Sequence, residues 1–260
     1  MAYVVTVSNQ KGGVGKTQSV ANLAYALATQ GQRVLAVDAD PQSSLTLYLG
    51  RDPVALDRER GCLHHALLDG RPIRDLVLHL EDFDLIPSSI RLARRMRELL
   101  LANEGTGRLR RVMQPLQDHY DFIVIDTPPS FSQLFLNTLT ASDGVIIPIK
   151  TDRMSAYGFT DLIDTIAEVR AEANPKLEVL GVVPTMYQKN YRVDEDVLEE
   201  FKALSVGRFH LFPPVRRSTN FDKAFDEAAP ALKLYPATPG IETYAEVAEH
   251  LITNVAQPAE

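Results

Sequence analysis

A glycine-rich segment with two lysines lies between the first apolar run of the chain and a stretch with helical spacing. From position 11 it consists of Lys11, Gly12, Gly13, Val14, Gly15, Lys16, Thr17 and Gln18. Glycines let backbone N–H groups approach phosphate oxygens, because no Cβ stands in the way. Lys16 is placed to neutralise the β- and γ-phosphates of a nucleotide, and the Thr17 hydroxyl to ligate Mg²⁺. The spacing predicts a phosphate-binding loop for ATP and Mg²⁺.

This loop departs from the usual phosphate-binding pattern in two ways. The pattern GxxxxGK[ST] requires a glycine at position 10, where this chain has Gln10. The loop also contains a second lysine, Lys11, directly before the glycines. The alternative is a flexible glycine-rich turn with solvated lysines, and the flanking strand and helix patterns argue against it.

Three aspartates stand at the ends of apolar runs. Asp38 and Asp40 end the second run, and a period of two puts them on the same face. Asp126 ends a later run and has the position typical of an acid that holds Mg²⁺ directly or through water. Because strand ends line the ligand crevice of a parallel sheet, we expect all three beside the phosphates. For Asp38 and Asp40 a helix-capping or turn role is the alternative.

The runs that carry these residues indicate the fold. Several are apolar without alternation, which is typical of strands buried on both faces of a parallel sheet. Strands are predicted at residues 3–8, 33–38, 83–86, 122–126, 144–149, 178–183 and 208–212. Helices are predicted from Val20 to a stop at Gly31 and at 91–101, 107–119, 132–141, 156–173, 193–204, 220–227 and 241–255. Residues 51–82 are expected to form an irregular excursion. The pattern predicts an α/β fold: a single-domain, doubly wound, mostly parallel sheet flanked by helices.

Composition narrows the function classes. The formal charge of −7 excludes general electrostatic attraction to nucleic acid, so any such binding needs a local basic patch. Cys62 is the only cysteine, which excludes an internal disulfide, a metal site built on paired cysteines and an iron–sulfur carrier. No run reaches the roughly 18 apolar residues of a membrane span. The first run has no basic leader before it, and we expect a cytoplasmic protein.

The loop KGGVGKT resembles that of the signature-lysine ATPases, which include ParA, MinD and Soj proteins. Residues 3–50 are similar over their whole length to the opening of a ParA/Soj protein. The resemblance implies a P-loop NTPase with a deviant Walker A motif over residues 1–256, followed by a frayed tail at 257–260. It further implies a nucleotide-sandwich homodimer in which Lys11 reaches the partner's phosphates. Gln18 departs from the Thr or Ser usual in relatives, so altered affinity is expected.

Other site residues follow from the same resemblance. Asp40 would orient or activate the attacking water, and Asp38 would lie near the magnesium shell. Lys11, Lys16 and Asp40 are thus the predicted catalytic residues, and Thr17, Asp38 and Asp126 the predicted metal group. The resemblance places adenine against loops after late strands, where Thr185 and Pro213 are predicted contacts.

ParA-type relatives bind DNA non-specifically as ATP dimers, and a basic group in the C-terminal third fits that role. It consists of Lys189, Arg192, Arg216, Arg217 and Lys223. A second basic stretch, Arg91 to Arg97, is interpreted as a solvated or dimer-facing helix surface. The expected function is a slow ATPase that positions plasmid, chromosome or other cargo on the nucleoid, stimulated by a ParB-like adaptor. The alternatives are a MinD-like membrane-associated regulator, which the acidic C-terminus disfavours, and an amidoligase of cobyrinate or dethiobiotin type.

Overall fold

The computed structural model of the protein describes residues 1–101 and 105–256, without the side chains at positions 97, 99–101, 156–157 and 255–256. The tail predicted at 257–260 lies outside the described residues. Within the described part, eight strands form one sheet. They are β1 (Tyr3–Val7), β2 (Val34–Asp38), β3 (Leu78–His79), β4 (Asp84–Ile86), β5 (Phe122–Asp126), β6 (Gly144–Lys150), β7 (Glu178–Thr185) and β8 (His210–Leu211).

The order of the strands across the sheet is β3-β4-β2-β5-β1-β6-β7-β8. Every neighbouring pair is parallel except β3 and β4, which are antiparallel. The predicted mostly parallel sheet is confirmed. The two-residue strand β3 at its edge is an addition that the apolar pattern does not predict.

Helices cover both faces of the sheet. They are α1 (Lys16–Thr29), α2 (Ser44–Tyr48), α3 (Pro53–Arg58), α4 (Leu63–Asp69), α5 (Arg91–Leu101), α6 (Arg108–Met113), α7 (Gln133–Ala141), α8 (Arg153–Glu172), α9 (Arg192–Ser205), α10 (Asn220–Asp226), α11 (Ala231–Leu234) and α12 (Thr243–Ala256). Among those described, none combines the length and the hydropathy that a bilayer-spanning segment requires.

Alternate residues of the central strands contribute to different cores. In β2, Val34 and Ala36 belong to the cluster that α1 and α12 cover, whereas Leu35 and Val37 belong to the cluster under α4 to α6. All five residues of β2 and of β5 are buried. This two-sided burial explains why their sequences are apolar without alternation.

Residues 51–82 are not the irregular excursion that the sequence predicts. They contain α3, α4, a 3₁₀ turn at Ile73–Leu76 and β3. The first of these helices has a local signal, since Asp52 accepts the N–H groups of Val54 and Ala55 and Pro53 takes the first helical position. Leu63 and Leu67 of α4 are fully buried, so this segment is a layer of the core.

Several element bounds also differ from the prediction. The helix predicted at 107–119 ends at Met113 and continues as a 3₁₀ turn over Gln114–Leu116. Pro115 lies in that turn, because a proline cannot donate the N–H that the helix interior needs. The strand predicted at 208–212 has only two residues, and α8 begins three residues before the predicted start.

Replacing Gly181 by alanine is expected to destabilise the protein by about 1–3 kcal/mol through overpacking. Gly181 lies in β7, and a Cβ there would overlap the Phe212 ring and stand 2.8 Å from the carbonyl oxygen of His210. Urea unfolding would measure the change. Gly158→Ala in α8 is the matched control, because its Cβ would meet nothing within 4 Å. A gain of about 0.5–1 kcal/mol is expected there, and equal stability of the two variants would contradict the prediction.

Candidate functional site

The site lies where parallel strands end side by side. Asp38 at the end of β2 is the register partner of Asp126 at the end of β5, and Val7 at the end of β1 is the partner of Asp126 on the other side. The loop that follows β1 therefore faces both carboxylates. This is the carboxyl edge of the sheet, where the sequence predicts the ligand crevice.

The phosphate loop turns from β1 into α1 through left-handed backbone. Gly13 has φ of 69° and Gly15 has φ of 82°, values that residues with a Cβ rarely adopt. Gly12 and Gly13 are exposed, and a Cβ on either would meet nothing within 4 Å. Helix α1 begins at Lys16, so its unpaired N–H groups and its positive dipole end face the loop. The loop is an anion cradle.

The side chain of Lys16 is folded into this cradle. It is 7% exposed, and its Nζ donates to the carbonyl oxygen of Lys11 at 3.0 Å. Burial lowers the pKa of Lys16, whereas Asp126 and Asp40 oppose that shift. A partly desolvated ammonium held inside a glycine loop is a strong partner for phosphate oxygens, because little water screens it.

Thr17 and Asp126 fit a magnesium ion. The Thr17 hydroxyl donates to Oδ2 of Asp126 at 2.7 Å. The other carboxylate oxygen, Oδ1, is buried and has no hydrogen-bond partner among the described residues. A hydroxyl and a carboxylate with one unpaired oxygen form the donor set that Mg²⁺ prefers. Thr17 and Asp126, both predicted magnesium ligands, are therefore in contact, and their binding of the metal stays a prediction.

Both carboxylate oxygens of Asp38 accept hydrogen bonds from the protein. Its Oδ1 accepts the N–H of Asp40 at 3.1 Å, and its Oδ2 accepts both the N–H and the hydroxyl of Thr46, at 2.8 and 2.6 Å. The side chain is fully buried, and burial raises its pKa to about 7 against these hydrogen bonds. With both oxygens paired inside the protein, Asp38 positions the segment that follows β2. Its place near the magnesium shell stays a prediction, and Asp126, its register partner, lies beside it.

Asp40 remains close to the phosphate loop. It is 7% exposed, and its Oδ1 accepts the N–H of Gln42 at 2.8 Å. Burial raises its pKa, whereas the Gln42 N–H and the charge of Lys16 lower it. A carboxylate with a raised pKa beside the phosphate lysine has the properties of a group that can accept a proton from water.

Replacing Asp126 by asparagine is expected to stabilise the nucleotide-free protein at pH 8. Burial raises the pKa of Asp126 well above its usual range, and the charge of Asp38 raises it further. The folded protein therefore binds the proton more tightly than the unfolded chain, and stability falls as the pH rises from the ordinary pKa toward the raised one. Asparagine removes that loss. We expect Tm to increase by about 2–4 °C, the effect of ~1 kcal/mol in a chain of this size.

The same variant is expected to lose the extra stability that Mg²⁺ adds in the presence of ATP. Thermal unfolding at pH 5 and pH 8, with ATP and with or without Mg²⁺, measures both effects. Asp143→Asn is the control, since burial also raises the pKa of that carboxyl and it accepts the Val4 N–H, away from the loop. Retention of the Mg²⁺ effect in Asp126→Asn would contradict the assignment.

Lys11 forms an ion pair inside its own chain. Its Nζ lies 2.7 Å from both carboxylate oxygens of Asp152, which precedes α8. Asn9 supports the loop, since its side chain accepts the Lys11 N–H and donates to the carbonyl oxygen of Pro148 in β6. Neither Asn9 nor Asp152 was predicted. Asp152 has no sequence signal, because 141 residues separate it from Lys11.

A cavity of about 390 Å³ opens beside the phosphate loop. Gly15, Gln18 and Thr185 line it together with Met186, Val215 and Phe221. These apolar residues suit a flat base. Six charged residues also line the cavity: Lys150, Asp152, Asp194, Arg216, Arg217 and Asp222. The Thr185 hydroxyl lies 2.9 Å from the carbonyl oxygen of Val14 and 3.0 Å from that of Ile149, so Thr185 joins the phosphate loop to the sheet.

The structure does not bring the predicted residue Pro213 into this cavity. Pro213 is exposed, and its carbonyl oxygen accepts the Thr243 hydroxyl. Val215 takes its place in the lining, because the Val215 N–H donates to the carbonyl oxygen of Pro184 and extends the sheet edge toward the cavity.

All five predicted DNA-contacting residues are exposed, at the carboxyl edge of β7 and β8. They are Lys189, Arg192, Arg216, Arg217 and Lys223. Two backbone hydrogen bonds join their loops, since the Tyr187 N–H donates to Val215 and the Arg217 N–H donates to Tyr187. Arg216 and Arg217 also line the cavity. Two arginines of the second basic stretch form ion pairs within the chain. Arg91 pairs with Asp57, and Arg95 pairs with Asp69 and Glu98.

The chain is similar to a protein-family model and to known proteins. A family model described as an AAA domain matches residues 2–179. The sporulation initiation inhibitor protein Soj of Bacillus subtilis (strain 168) is 32% identical over 256 residues, which are 98% of this chain and 100% of that protein. The chromosome-partitioning ATPase Soj of Thermus thermophilus is 34% identical over 254 residues, which are 97% of this chain and 96% of that protein.

The chain is also similar to a solved structure of an enzyme with a different activity. Cobyrinic acid a,c-diamide synthase from Mycobacterium smegmatis with bound ADP and magnesium superposes with a TM-score of 0.84 at 33% identity. The match covers 99% of this chain and 96% of that chain. The same synthase has been solved with an ATP analogue and magnesium.

Proposed function

The chain belongs to the ParA/Soj-type family of ParA/MinD ATPases, and from this premise we propose that it is an ATP-driven dimerisation switch that binds DNA and positions a cargo. The observation that carries the proposal is the pair of lysines in one loop. The Lys16 side chain is buried in the loop, where it would bind the nucleotide of its own chain. The Lys11 side chain is 34% exposed, at the rim of the loop. A second cation at the rim is suited to a nucleotide bound by another chain.

Two exposed apolar side chains, which follow Asp126 and Asp152 along the chain, support a contact between two chains. Phe131, five residues after Asp126, is 50% exposed, and Met154, two residues after Asp152, is 68% exposed. Large apolar side chains beside a nucleotide site gain stability when a partner covers them. The proposed dimer therefore buries apolar surface at the same time as Lys11 reaches the partner's phosphates.

Hydrolysis of ATP to ADP and phosphate is the proposed timer of the switch. Bound Mg²⁺, held by Thr17 and Asp126, would neutralise charge on the phosphates. Lys16 binds the same phosphates, and Asp40 accepts the proton of the attacking water. The Gln42 N–H is bonded to Oδ1 of Asp40 and lowers the pKa of this carboxylate, which supports a slow basal rate. A ParB-like adaptor is the proposed partner that increases this rate.

Non-specific DNA is the proposed surface on which the dimer acts, with the nucleoid as its location. Phosphate contacts need only accessible cations, and the five exposed basic residues supply them. The net charge of −7 opposes binding by a single chain. Two chains held in one dimer present two basic patches, and their combined avidity makes DNA binding depend on ATP.

The double variant Arg216→Ala and Arg217→Ala is expected to weaken binding of the ATP-bound protein to random duplex DNA. Each lost phosphate contact lowers the slope of log K against log salt by about 1. Fluorescence anisotropy at several salt concentrations measures that slope, and a parallel titration measures ATP affinity. Arg170→Ala, an exposed arginine of α8, is the control. If ATP and Mg²⁺ give no salt-sensitive DNA binding in the wild type, the DNA part of the proposal is wrong.

Two rival functions are less well supported. A MinD-like membrane regulator needs a basic amphipathic helix, whereas α12 exposes Glu246 and Glu249 and contains no lysine or arginine. Sedimentation with anionic vesicles tests this. The similarity to cobyrinic acid a,c-diamide synthase favours an amidoligase. Such an enzyme also needs a place for an acid substrate beside the phosphates. The similar curated proteins include a chromosome-partitioning ATPase, which favours the partitioning function. An assay for ATP-dependent amidation of cobyrinic acid tests the amidoligase function.

A further inference from the structure

Three side chains that the proposed function does not use converge beneath the surface of α3 and α4. They are Asp57, His64 and His65, and one ligand-type atom from each lies within 4.8 Å of the others. Their exposure is 8%, 1% and 6%, respectively. Asp57 is in α3, and the turn at Gly61, whose N–H donates to the Leu56 carbonyl, brings it back against the start of α4. The cluster belongs to the segment that the sequence pattern leaves unassigned.

The hydrogen bonds of the cluster leave one atom unexplained. His64 Nε2 lies 3.2 Å from Oδ1 of Asp57, which also accepts the Ser89 hydroxyl at 3.1 Å. His65 Nδ1 lies 3.2 Å from the carbonyl oxygen of Cys62. His64 Nδ1 is buried without a hydrogen-bond partner among the described residues. Because Nε2 is the nitrogen that faces Asp57, an ion held between His64 and Asp57 would bind Nε2, and Nδ1 would carry the ring's N–H.

The two imidazole rings lie against each other inside the cluster, and a neutral imidazole is a metal ligand. Their ring centroids are 3.9 Å apart. Arg91 holds the other oxygen of Asp57, Oδ2, at 2.7 Å and leaves Oδ1 directed toward His64.

We propose that Asp57, His64 and His65 bind a divalent ion of the zinc type. Two imidazole nitrogens and one carboxylate oxygen suit Zn²⁺, whereas Mg²⁺ and Ca²⁺ prefer oxygen ligands throughout. Ligands about 2 Å from a tetrahedral ion lie about 3.3 Å apart, so the cluster needs to contract by no more than about 1.5 Å. A water molecule completes the coordination. This use of the cluster is independent of nucleotide binding.

The ion would stabilise a segment that reaches the nucleotide site. Asp57 accepts from Ser89, and the N–H of the adjacent Ser88 donates to the Thr46 hydroxyl, which in turn donates to Asp38. Holding Asp57 and α4 together therefore orders the loop after β4 that supports Thr46. Binding to the folded state alone raises its stability, and at one hundred times Kd we expect Tm to rise by about 5–10 °C.

The wild-type protein is tested first, with its nucleotide site saturated by ADP and Mg²⁺. Calorimetric titration with ZnCl₂ is expected to give one ion per chain and the rise in Tm. Crystals grown with Zn²⁺ are expected to show an anomalous peak at the zinc edge between Asp57, His64 and His65. A peak only elsewhere, or no binding by the wild type, would overturn the proposal, and neither readout requires a variant to fold.

Variants then assign the ligands. His64→Gln and His65→Gln are each expected to weaken Zn²⁺ binding by more than about tenfold, the loss that removal of even an outer-shell partner produces. His79→Gln and His250→Gln are matched controls, because His79 pairs with Asp84 and His250 stacks on His210 outside the cluster. If His250→Gln loses Zn²⁺ binding while the His64 and His65 variants bind fully, the ion lies at the stacked pair of His210 and His250, and the proposal is wrong.

Discussion

Replacing Lys11 by alanine is expected to abolish ATP-dependent dimerisation and to lower the rate of phosphate release by about 10³-fold or more, the range of an arginine finger. The reason is that, in the proposed switch, Lys11 binds the nucleotide of the partner chain and not that of its own chain. Its Nζ is paired with Asp152, whereas Lys16 fills the cradle. ATP affinity should therefore stay within a few-fold of the wild type, as measured by a fluorescent ATP analogue. Light scattering coupled to size exclusion measures the dimer.

Two other lysine variants make this prediction specific. Lys16→Ala is expected to lose ATP binding itself, because it removes the buried ammonium of the loop. Lys150→Ala removes the second lysine near Asp152, whose Nζ is 3.4 Å from that carboxylate, and should dimerise normally. If Lys11→Ala dimerises with ATP as the wild type does, the proposed role in the partner's site is wrong.

Replacing Asp40 by alanine is expected to slow hydrolysis by about 10²–10⁴-fold, the usual contribution of a general base. ATP binding and the dimer should persist, because the groups that hold phosphate are elsewhere. The ATP dimer should then live longer on DNA. Single-turnover phosphate release measures the chemical step, and competition with unlabelled DNA measures the lifetime.

Asp40→Asn separates chemistry from loop shape. An asparagine can still accept the Gln42 N–H through its side-chain oxygen, as Asp40 does at 2.8 Å, but it cannot take a proton from water. We expect it to be as slow as the alanine variant. A rate close to that of the wild type in Asp40→Asn would instead assign Asp40 a purely structural role in the segment after β2.

What could be predicted from the sequence was local. The glycines, Lys16 and Thr17 are consecutive, and Asp126 directly ends an apolar strand, so short-range patterns suffice to place them. The parallel sheet followed from strands such as Phe122–Asp126, whose burial on both faces leaves no alternation. The α3 signal at Asp52 and Pro53 was available, but six-residue helices give too little periodicity to be recognised.

The remaining features depend on contacts between distant parts of the chain. The pairing of Lys11 with Asp152 spans 141 residues, and that of Thr185 with Val14 spans 171. No local pattern predicts that both carboxylate oxygens of Asp38 are hydrogen-bonded, since its partner Thr46 belongs to a five-residue helix. Similarly, Pro213 and Val215 are two residues apart, and only the packing of β7 on β8 decides which of them lines the cavity.

The ion pair between Lys11 and Asp152 sets a concentration threshold for the proposed dimer. The two side chains are 34% and 28% exposed, and such a pair contributes about 1 kcal/mol. At that value Lys11 is free in about one chain in six. A symmetric dimer needs Lys11 free in both chains. The fraction of chains with Lys11 free therefore enters as its square, which raises the apparent dissociation constant of the dimer about 40-fold. Salt screens exposed charges and relaxes this factor. For the proposed dimer, the monomer's own ion pair thus raises the number of copies that a cell must hold before chains associate.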